Sequence, residues 1–174
     1  MNFTELYKSD LARYPGKVHG YIKKYLFLFR KAQTSKQHRY INLYWRWRLR
    51  KISEKRGIEI GYTVSIGKGL YLGHAYNITI NKDAVLGDNC NIHKGVTIGR
   101  ENRGKREGSP TIGSNVWIGI GAIVVGRISI GDDVLIAPNS YINCDVPSHS
   151  IVIGNPCIIK PRENATQNYI SNLV

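Results

Sequence analysis

The sequence lacks the features of several large protein classes. It has only three cysteines, Cys90, Cys144 and Cys157, which form neither an even set nor a metal-binding spacing. We therefore expect no disulfide framework and no metal, and a reducing cytoplasm is the compartment that fits. No apolar run approaches the roughly 20 residues that a membrane-spanning helix needs, and no secretory signal is visible.

Acidic residues are also scarce, with 12 Asp and Glu against 25 Lys and Arg, so the formal net charge is +13. The imbalance is local. Residues 1–57 hold 15 Lys and Arg but 3 Asp and Glu, whereas residues 58–174 hold 10 and 9. No nucleic-acid-binding motif accompanies the basic segment, so we expect no nucleic-acid partner.

Residues 1–57 are predicted to form a basic helical extension. Between residues 37 and 55, Ile41, Trp45, Leu49 and Ile52 recur at helical spacing and predict an apolar stripe. Two roles fit this extension. It can cap the open end of the domain that follows, or it can in addition dock at an anionic membrane surface, as basic helices with Trp and Tyr do. The protein would then be cytoplasmic and peripheral at the inner face of the membrane.

What the sequence has in abundance is a six-residue repeat between Ile60 and Val146. A period of six fits neither a helix nor a flat strand. It predicts a β-solenoid in which three units make one turn and one aliphatic residue of each unit points into the core. The aliphatic residues that begin the units are Ile60, Ile66, Leu72, Leu86, Ile92, Ile98, Ile112, Ile118, Val124, Ile130, Ile136 and Ile142.

The repeat is interrupted twice. Two extra residues enter between Tyr76 and Thr79, and the polar segment 100–110 is too long and too hydrophilic to be part of the wall. Insertions on repeat scaffolds tend to build the binding face. We therefore divide the chain into the extension (1–57), a solenoid domain (58–162) with an inserted loop (100–110), and a C-terminal tail (163–174).

Assigning successive units to three faces predicts a groove on one of them. Leu72, Ile92, Ile118 and Ile136 fall on this face, one in each turn. One predicted outward column consists of His74, Lys94, Ile120 and Pro138. The column beside it consists of Gly73, His93, Gly119 and Ala137. Because most of these residues are small, a long, thin ligand could lie along the face.

These units resemble the hexapeptide-repeat acyltransferases, whose fold is a left-handed parallel β-helix. The runs Gly57-Ile58-Glu59-Ile60, Gly69 to Ala75 and Gly95 to Gly99 are similar to the serine O-acetyltransferase branch, and the resemblance covers nearly all of residues 57–160. It implies a mostly β protein, a left-handed β-helix with an N-terminal helical extension. It also implies an O-acetyltransferase that uses acetyl-CoA as donor and assembles as a homotrimer.

The resemblance also implies roles for individual residues. His74 takes the position of the catalytic base and Glu59 that of the acidic residue that orients it. The candidates for substrate binding are His93, Lys94 and Ser109. The candidates for binding acetyl-CoA are Gly119, Ile120, Ala137 and Pro138 along the groove, with Lys105, Lys160 and Arg162 for its phosphates. The chemistry agrees, since neutral imidazole is suited to remove a hydroxyl proton near pH 7.

Two departures from the serine O-acetyltransferase pattern bear on the acceptor. Gly73 stands where that branch has an aspartate, and Gly108-Ser109 stand before Pro110 where it has Arg-His. Charged hydrogen bonds of this kind are worth about 1.5–3 kcal/mol each. Their loss predicts another alcohol as acceptor. The resemblance implies that this alcohol is a sugar hydroxyl in capsular or exopolysaccharide biosynthesis, in a free, lipid-linked or polymeric acceptor; the alternative is serine itself, in cysteine biosynthesis.

Two further functions compete with these. A zinc-dependent carbonic anhydrase on the same solenoid needs three histidine ligands, two of them close in sequence, and His74, His93 and His149 provide no such pair. A binding scaffold without catalysis would take up CoA without turnover.

Overall fold

The computed structural model describes residues 2–174, in which a helical cap precedes a solenoid. The cap consists of α1 (Phe3–Ala12), α2 (Gly20–Thr34) and α3 (Arg39–Arg56). Gly57 ends α3 in the left-handed conformation, with φ of 62°, which glycine adopts without a steric penalty. Within residues 2–174, no helix combines the length and the apolar character that crossing a membrane requires.

Short strands of two to four residues recur from Ile58 to Pro161, separated by turns. The strands are β1 (Ile58–Ile60), β2 (Ser65–Ile66), β3 (Tyr71–Gly73), β4 (Ile78–Ile80), β5 (Val85–Leu86), β6 (Asn91–His93), β7 (Thr97–Gly99), β8 (Thr111–Ile112), β9 (Trp117–Ile118), β10 (Ile123–Val125), β11 (Ser129–Ile130), β12 (Val134–Ile136), β13 (Tyr141–Ile142), β14 (Ser150–Ile153) and β15 (Ile158–Pro161).

The strands form three sheets that run the length of a parallel β-solenoid. Sheet A has the order β1-β4-β7-β10-β13, sheet B the order β2-β5-β8-β11, and sheet C the order β3-β6-β9-β12-β14-β15. From β1 to β13, consecutive strands therefore go to different sheets and every third strand returns to the same one, whereas β14 and β15 both belong to sheet C. The pairings are parallel except for the closing hairpin of β14 and β15. The predicted solenoid with an N-terminal helical extension is confirmed.

The repeat residues stack in the core as predicted. In sheet C, Leu72 pairs with Ile92, Ile92 with Ile118 and Ile118 with Ile136, and all four side chains are fully buried. Cys90 is also fully buried, and burial raises the pKa of its thiol to about 12. It therefore serves as a small core residue.

The separation of paired residues along sheet C gives the number of residues that each interruption adds to the repeat. Ile118 pairs with Ile136, 18 residues later, so three six-residue units make one turn. Leu72 pairs with Ile92 at a separation of 20 residues and Ile92 with Ile118 at 26. The first interruption thus adds two residues and the second adds eight, and both leave the stack of core residues unbroken.

The cap is anchored to the solenoid by buried charge. Arg30 on α2 forms a bidentate pair with Asp10 on α1, with N–O distances of 2.7 and 2.9 Å, and neither side chain is exposed. The same guanidinium donates to the carbonyl oxygens of Ile66 and Gly67, while the backbone N–H of Leu70 donates to Asp10. A cap that merely solvates itself with Lys and Arg would leave this arginine exposed.

The apolar stripe predicted for α3 is wrong at one position. Leu49 is buried and Trp45 and Ile52 are partly buried against the core, but Ile41 is 53% exposed. Asn42 faces inward instead, and its amide donates to the carbonyl oxygen of Ala32 at 2.7 Å. Helical spacing does not distinguish residue 41 from residue 42 when a polar side chain has a buried partner.

The C-terminal strap, residues 163–174, lies across the outer surface of sheet C. Asp133 accepts hydrogen bonds from the backbone N–H groups of Ala165 and Thr166. Further along, the Asn91 amide donates to the carbonyl oxygen of Tyr169. The Asn89 side-chain amide donates to the carbonyl oxygen of Val174 and accepts from its backbone N–H. The segment is thus held from the later turns of the solenoid back to the earlier ones.

Candidate active site

His74 lies at the corner between sheets C and A, directly after β3. Its side chain is exposed and its φ is 51°, a left-handed conformation that non-glycine residues adopt infrequently. The two extra residues enter at this corner. The carbonyl oxygens of Tyr76 and Lys94 accept equivalent hydrogen bonds, from the N–H groups of Gly95 and Gly121. The column therefore contains Tyr76 where we predicted His74, and the insertion places His74 outside it.

His93 packs directly over Gly73, which it faces across the β3–β6 pair. A Cβ on Gly73 would overlap the His93 ring, so only glycine leaves room for the imidazole. Among residues 2–174 the Nε2 atom of His93 is buried without a hydrogen-bond partner. Burial, assisted by the nearby His74, lowers the pKa of His93 to about 4. The ring is therefore neutral at pH 7 and presents one unpaired polar atom beside His74.

Glu59 lies in β1 on sheet A, where it pairs with Thr79 and faces solvent. Glu59 lies in the first strand, and His74 lies directly after the third strand, of the same turn of the solenoid. Within the described residues 2–174, no hydrogen bond joins its carboxylate to His74. Its predicted orienting role therefore stays a prediction.

Ser109 and Lys105 do not approach His74 within one chain. The inserted loop connects β7 of sheet A to β8 of sheet B, a different corner from that of His74. The loop is an ordered hairpin in which the backbones of Glu101 and Gly108 exchange two hydrogen bonds of 2.9 Å. The Ser109 hydroxyl donates to the side-chain oxygen of Asn81 at 3.0 Å.

The other predicted column of sheet C forms as expected. Gly73, His93, Gly119 and Ala137 follow one another across the strands. A Cβ on Gly119 would lie 2.6 Å from the backbone nitrogen of Pro138, so glycine permits the close approach of successive turns. Ile120 is exposed beside this column.

A pocket of about 790 Å³ lies between the later turns of sheet C and the chain that follows them. It brings together four of the residues predicted to bind acetyl-CoA: Ala137, Pro138, Lys160 and Arg162. Lys160 and Arg162 supply cations at one side, while Trp117, Leu135 and Tyr169 supply apolar surface. The arrangement suits a long ligand with an apolar body and negatively charged groups.

Sequence reasoning missed Trp117 and Tyr169. The centroid of the Trp117 ring lies 4.8 Å from that of His93, to which it is tilted, and 5.1 Å from that of Tyr169, which it meets edge to face. Trp117 occupies an outward position directly before the repeat residue Ile118, so the repeat count alone was enough to place it on the groove face. Tyr169 lies in the strap, which has no repeat and gives no such signal.

The solenoid matches a known repeat. Residues 109–144 match the family described as bacterial transferase hexapeptide (six repeats). That segment of the chain is therefore similar to the repeats of this transferase family. The chain is 44% identical over 102 residues to serine acetyltransferase of Staphylococcus aureus, covering 58% of this chain and 47% of that protein. It is 38% identical over 99 residues to the Helicobacter pylori enzyme, covering 57% and 58%.

The fold of the chain is also similar to that of a solved serine acetyltransferase structure. Neisseria gonorrhoeae serine acetyltransferase in complex with serine superposes with a TM-score of 0.76 and 29% identity, over 91% of this chain and 69% of that one. The chain spans less than two thirds of the length of the curated relatives that it matches.

These relatives contradict the expected sugar acceptor. That expectation took the absence of charged groups at Gly73 and Ser109 as evidence against serine, but the curated relatives are serine acetyltransferases. Two positions are too few to determine the acceptor. At Gly73 the structure gives another reason for the missing side chain, since His93 fills that space.

Proposed function

We propose that this hexapeptide-repeat protein is a serine O-acetyltransferase, transferring the acetyl group of acetyl-CoA to the hydroxyl of serine. The observation that carries the proposal is its similarity to serine acetyltransferases at 38% and 44% identity. The site described above supports it. An exposed histidine lies at a corner of the solenoid, next to a neutral second imidazole and a column of small residues.

His74 acts as general base in this proposal. Its imidazole removes the hydroxyl proton as the serine oxygen attacks the thioester carbonyl. The carbon–sulfur bond of the tetrahedral intermediate then breaks, and the CoA sulfur leaves and takes up a proton. O-acetylserine and free CoA are the products. No covalent enzyme intermediate is required, because the thioester is already activated.

The neighbouring side chains hold the acceptor and orient the base. We propose that the Nε2 atom of His93 hydrogen-bonds the acceptor, and its lack of a partner among residues 2–174 supports this role. The exposed Lys94 lies one residue further along the same corner. Glu59 orients His74 and stabilises its imidazolium, as carboxylates do in other acyl-transfer sites. Its position in the same turn of the solenoid supports this role.

Acetyl-CoA is proposed to lie along the later turns of sheet C. Its chain would pass Gly119, Ile120, Ala137 and Pro138, where only small or apolar groups meet it. Its phosphates would lie beside Lys160 and Arg162, which line the pocket. The donor has several negative charges, and paired cations at one end of the groove would fix its direction.

We further propose a homotrimer, because the loop and His74 occupy different corners of one chain. Rotation about a threefold axis can bring the loop of one copy to the His74 corner of the next. The loop carries charges of both signs: Arg100, Glu101, Arg103, Lys105, Arg106 and Glu107. These charges could contact the ammonium and carboxylate of serine in place of the groups missing at Gly73 and Ser109. Light scattering should give three times the chain mass of 19.6 kDa.

The activity is tested by following thiol release from acetyl-CoA with L-serine as acceptor. L-alanine is the matched control, since it has the same ammonium and carboxylate but no hydroxyl. We expect thiol release with serine and none with alanine, and mass spectrometry should identify O-acetylserine. A folded protein that releases no thiol with serine, but releases it with a sugar as acceptor, would overturn the proposal.

A further inference from the structure

The third helix has a second apolar face that is not packed against the rest of the chain. Its members recur at helical spacing, and all are large: Tyr40 (83% exposed), Leu43 (58%), Tyr44 (46%) and Trp47 (51%), with Ile41 (53%) beside them. The opposite face, with Trp45, Leu49 and Ile52, packs on the core. Contiguous exposed apolar side chains of this kind are typical of interaction sites.

Cations surround this exposed face. The Lys51 ammonium lies 3.9 Å from the Trp47 ring centroid. The Arg48 guanidinium lies over Tyr44 and donates to its hydroxyl at 2.7 Å. In all, α3 carries seven Lys and Arg and one acidic residue, Glu54. The apolar residues are therefore set in a strongly positive surface at the end of a solenoid that is nearly neutral.

The charge decides what can cover this face. A second copy would have to place an equally basic surface against it, and like charges brought together across an interface cost binding energy. A nucleic acid would satisfy the cations and could stack on the aromatic rings, but it offers nothing to Ile41 and Leu43. An anionic bilayer satisfies both groups. Its headgroups pair with Lys and Arg while aliphatic and aromatic side chains enter the boundary with the acyl chains.

We propose that the face of α3 formed by Tyr40, Ile41, Leu43, Tyr44 and Trp47 docks on an anionic lipid bilayer. The helix lies in the plane of the surface, with Arg48 and Lys51 at the level of the headgroups. The opposite face of α3 holds the rest of the protein, so the solenoid is carried on the water side. This inference is independent of the acetyl-transfer reaction.

The test is co-sedimentation of the full chain with vesicles of phosphatidylcholine alone or mixed with phosphatidylglycerol. We expect binding to the mixed vesicles only, and weaker binding when the salt is raised from about 0.05 M to about 0.5 M. Leu43→Ser combined with Trp47→Ser should weaken binding by about tenfold or more, since it removes apolar surface that enters the bilayer. Ile158→Ser with Leu173→Ser is the matched control, because these residues are similarly exposed elsewhere, and it should bind as the native chain does.

A second pair of variants tests the charge. Arg48→Gln with Lys51→Gln should reduce both the affinity for the mixed vesicles and its salt dependence, whereas Lys82→Gln on the solenoid should change neither. Circular dichroism melting confirms that each variant is folded. Native binding by the Leu43 and Trp47 variant would overturn the proposal. Dissociation of a larger assembly into smaller units by that variant would also overturn the proposal. Binding of the native chain to duplex DNA but to no anionic vesicle would do the same.

Discussion

The imidazole of His93 occupies the space that a side chain at residue 73 would need, so Gly73 and His93 are coupled through steric contact. Gly73→Ala should displace the ring and lower the unfolding free energy by about 1–3 kcal/mol, the usual cost of overpacking. In a His93→Ala background the same change should cost much less. Urea unfolding of the two single variants and the double variant measures the coupling. Equal costs in both backgrounds would show that the two residues are independent.

The buried pair of Asp10 and Arg30 should be the strongest single anchor between cap and solenoid. Asp10→Ala leaves the Arg30 guanidinium buried without its carboxylate, which should cost about 3–5 kcal/mol. Asp10→Leu combined with Arg30→Met removes both charges and should cost clearly less. Chemical denaturation compares the variants, and the exposed pair Arg50→Ala and Glu54→Ala is the control, with an expected change below about 1 kcal/mol.

His93 should make stability depend on pH. Because the pKa of His93 is lowered to about 4, the unfolded chain binds a proton there that the folded chain does not, between about pH 6.5 and about pH 4. The unfolding free energy should therefore fall as the pH drops through this window, and His93 should cause no further loss below it. His93→Gln should flatten the dependence.

His149 provides a comparison of opposite sign. Its Nδ1 lies 2.9 Å from the Asp133 carboxylate, and this hydrogen bond raises the pKa of His149. A histidine with a raised pKa adds stability at low pH and loses that contribution as the pH rises through its folded value. His149→Gln should therefore make the acid-side loss steeper, whereas His93→Gln makes it shallower. The same slope in both variants would contradict these assignments.

The C-terminal strap should stabilise sheet C by covering Trp117 and closing over Asn89 and Asn91. Deleting residues 163–174 should lower the melting temperature and shift Trp117 emission to longer wavelength, because the indole would meet water. Introducing Trp45→Phe and Trp47→Phe into both the full-length protein and the deletion variant leaves Trp117 as the only tryptophan in each. Unchanged emission after the deletion would show that the strap does not shield the ring.

The solenoid could be predicted from the sequence because each turn repeats the same physical requirement. An aliphatic residue must point inward every six positions, so Leu72, Ile92 and Ile118 stack in the predicted order. The groove residues Gly119 and Ala137 follow from the same count. The displaced position of His74 did not follow, because a two-residue insertion leaves open which of its residues keeps the column position.

The contacts that lie outside the repeat could not be predicted. Arg13 is fully buried and joins the carbonyl oxygens of Gly69 and Ser171, which are far apart in sequence. Nothing in the local pattern distinguishes it from the many exposed basic residues around it. The strap is likewise positioned by side chains of the solenoid corners, such as Asp133, and not by any periodicity of its own.

The central claim, acetyl transfer to serine with His74 as base, is tested most directly by His74→Ala. Turnover should fall by about 10²–10⁴-fold, the usual contribution of a positioned general base, while the melting temperature and the dissociation constant for acetyl-CoA stay unchanged. His38→Ala, an exposed histidine in the cap, should retain full turnover. Serine-dependent thiol release should be measured on the same preparations. Near-normal turnover by a folded His74→Ala variant would contradict the assignment of the base.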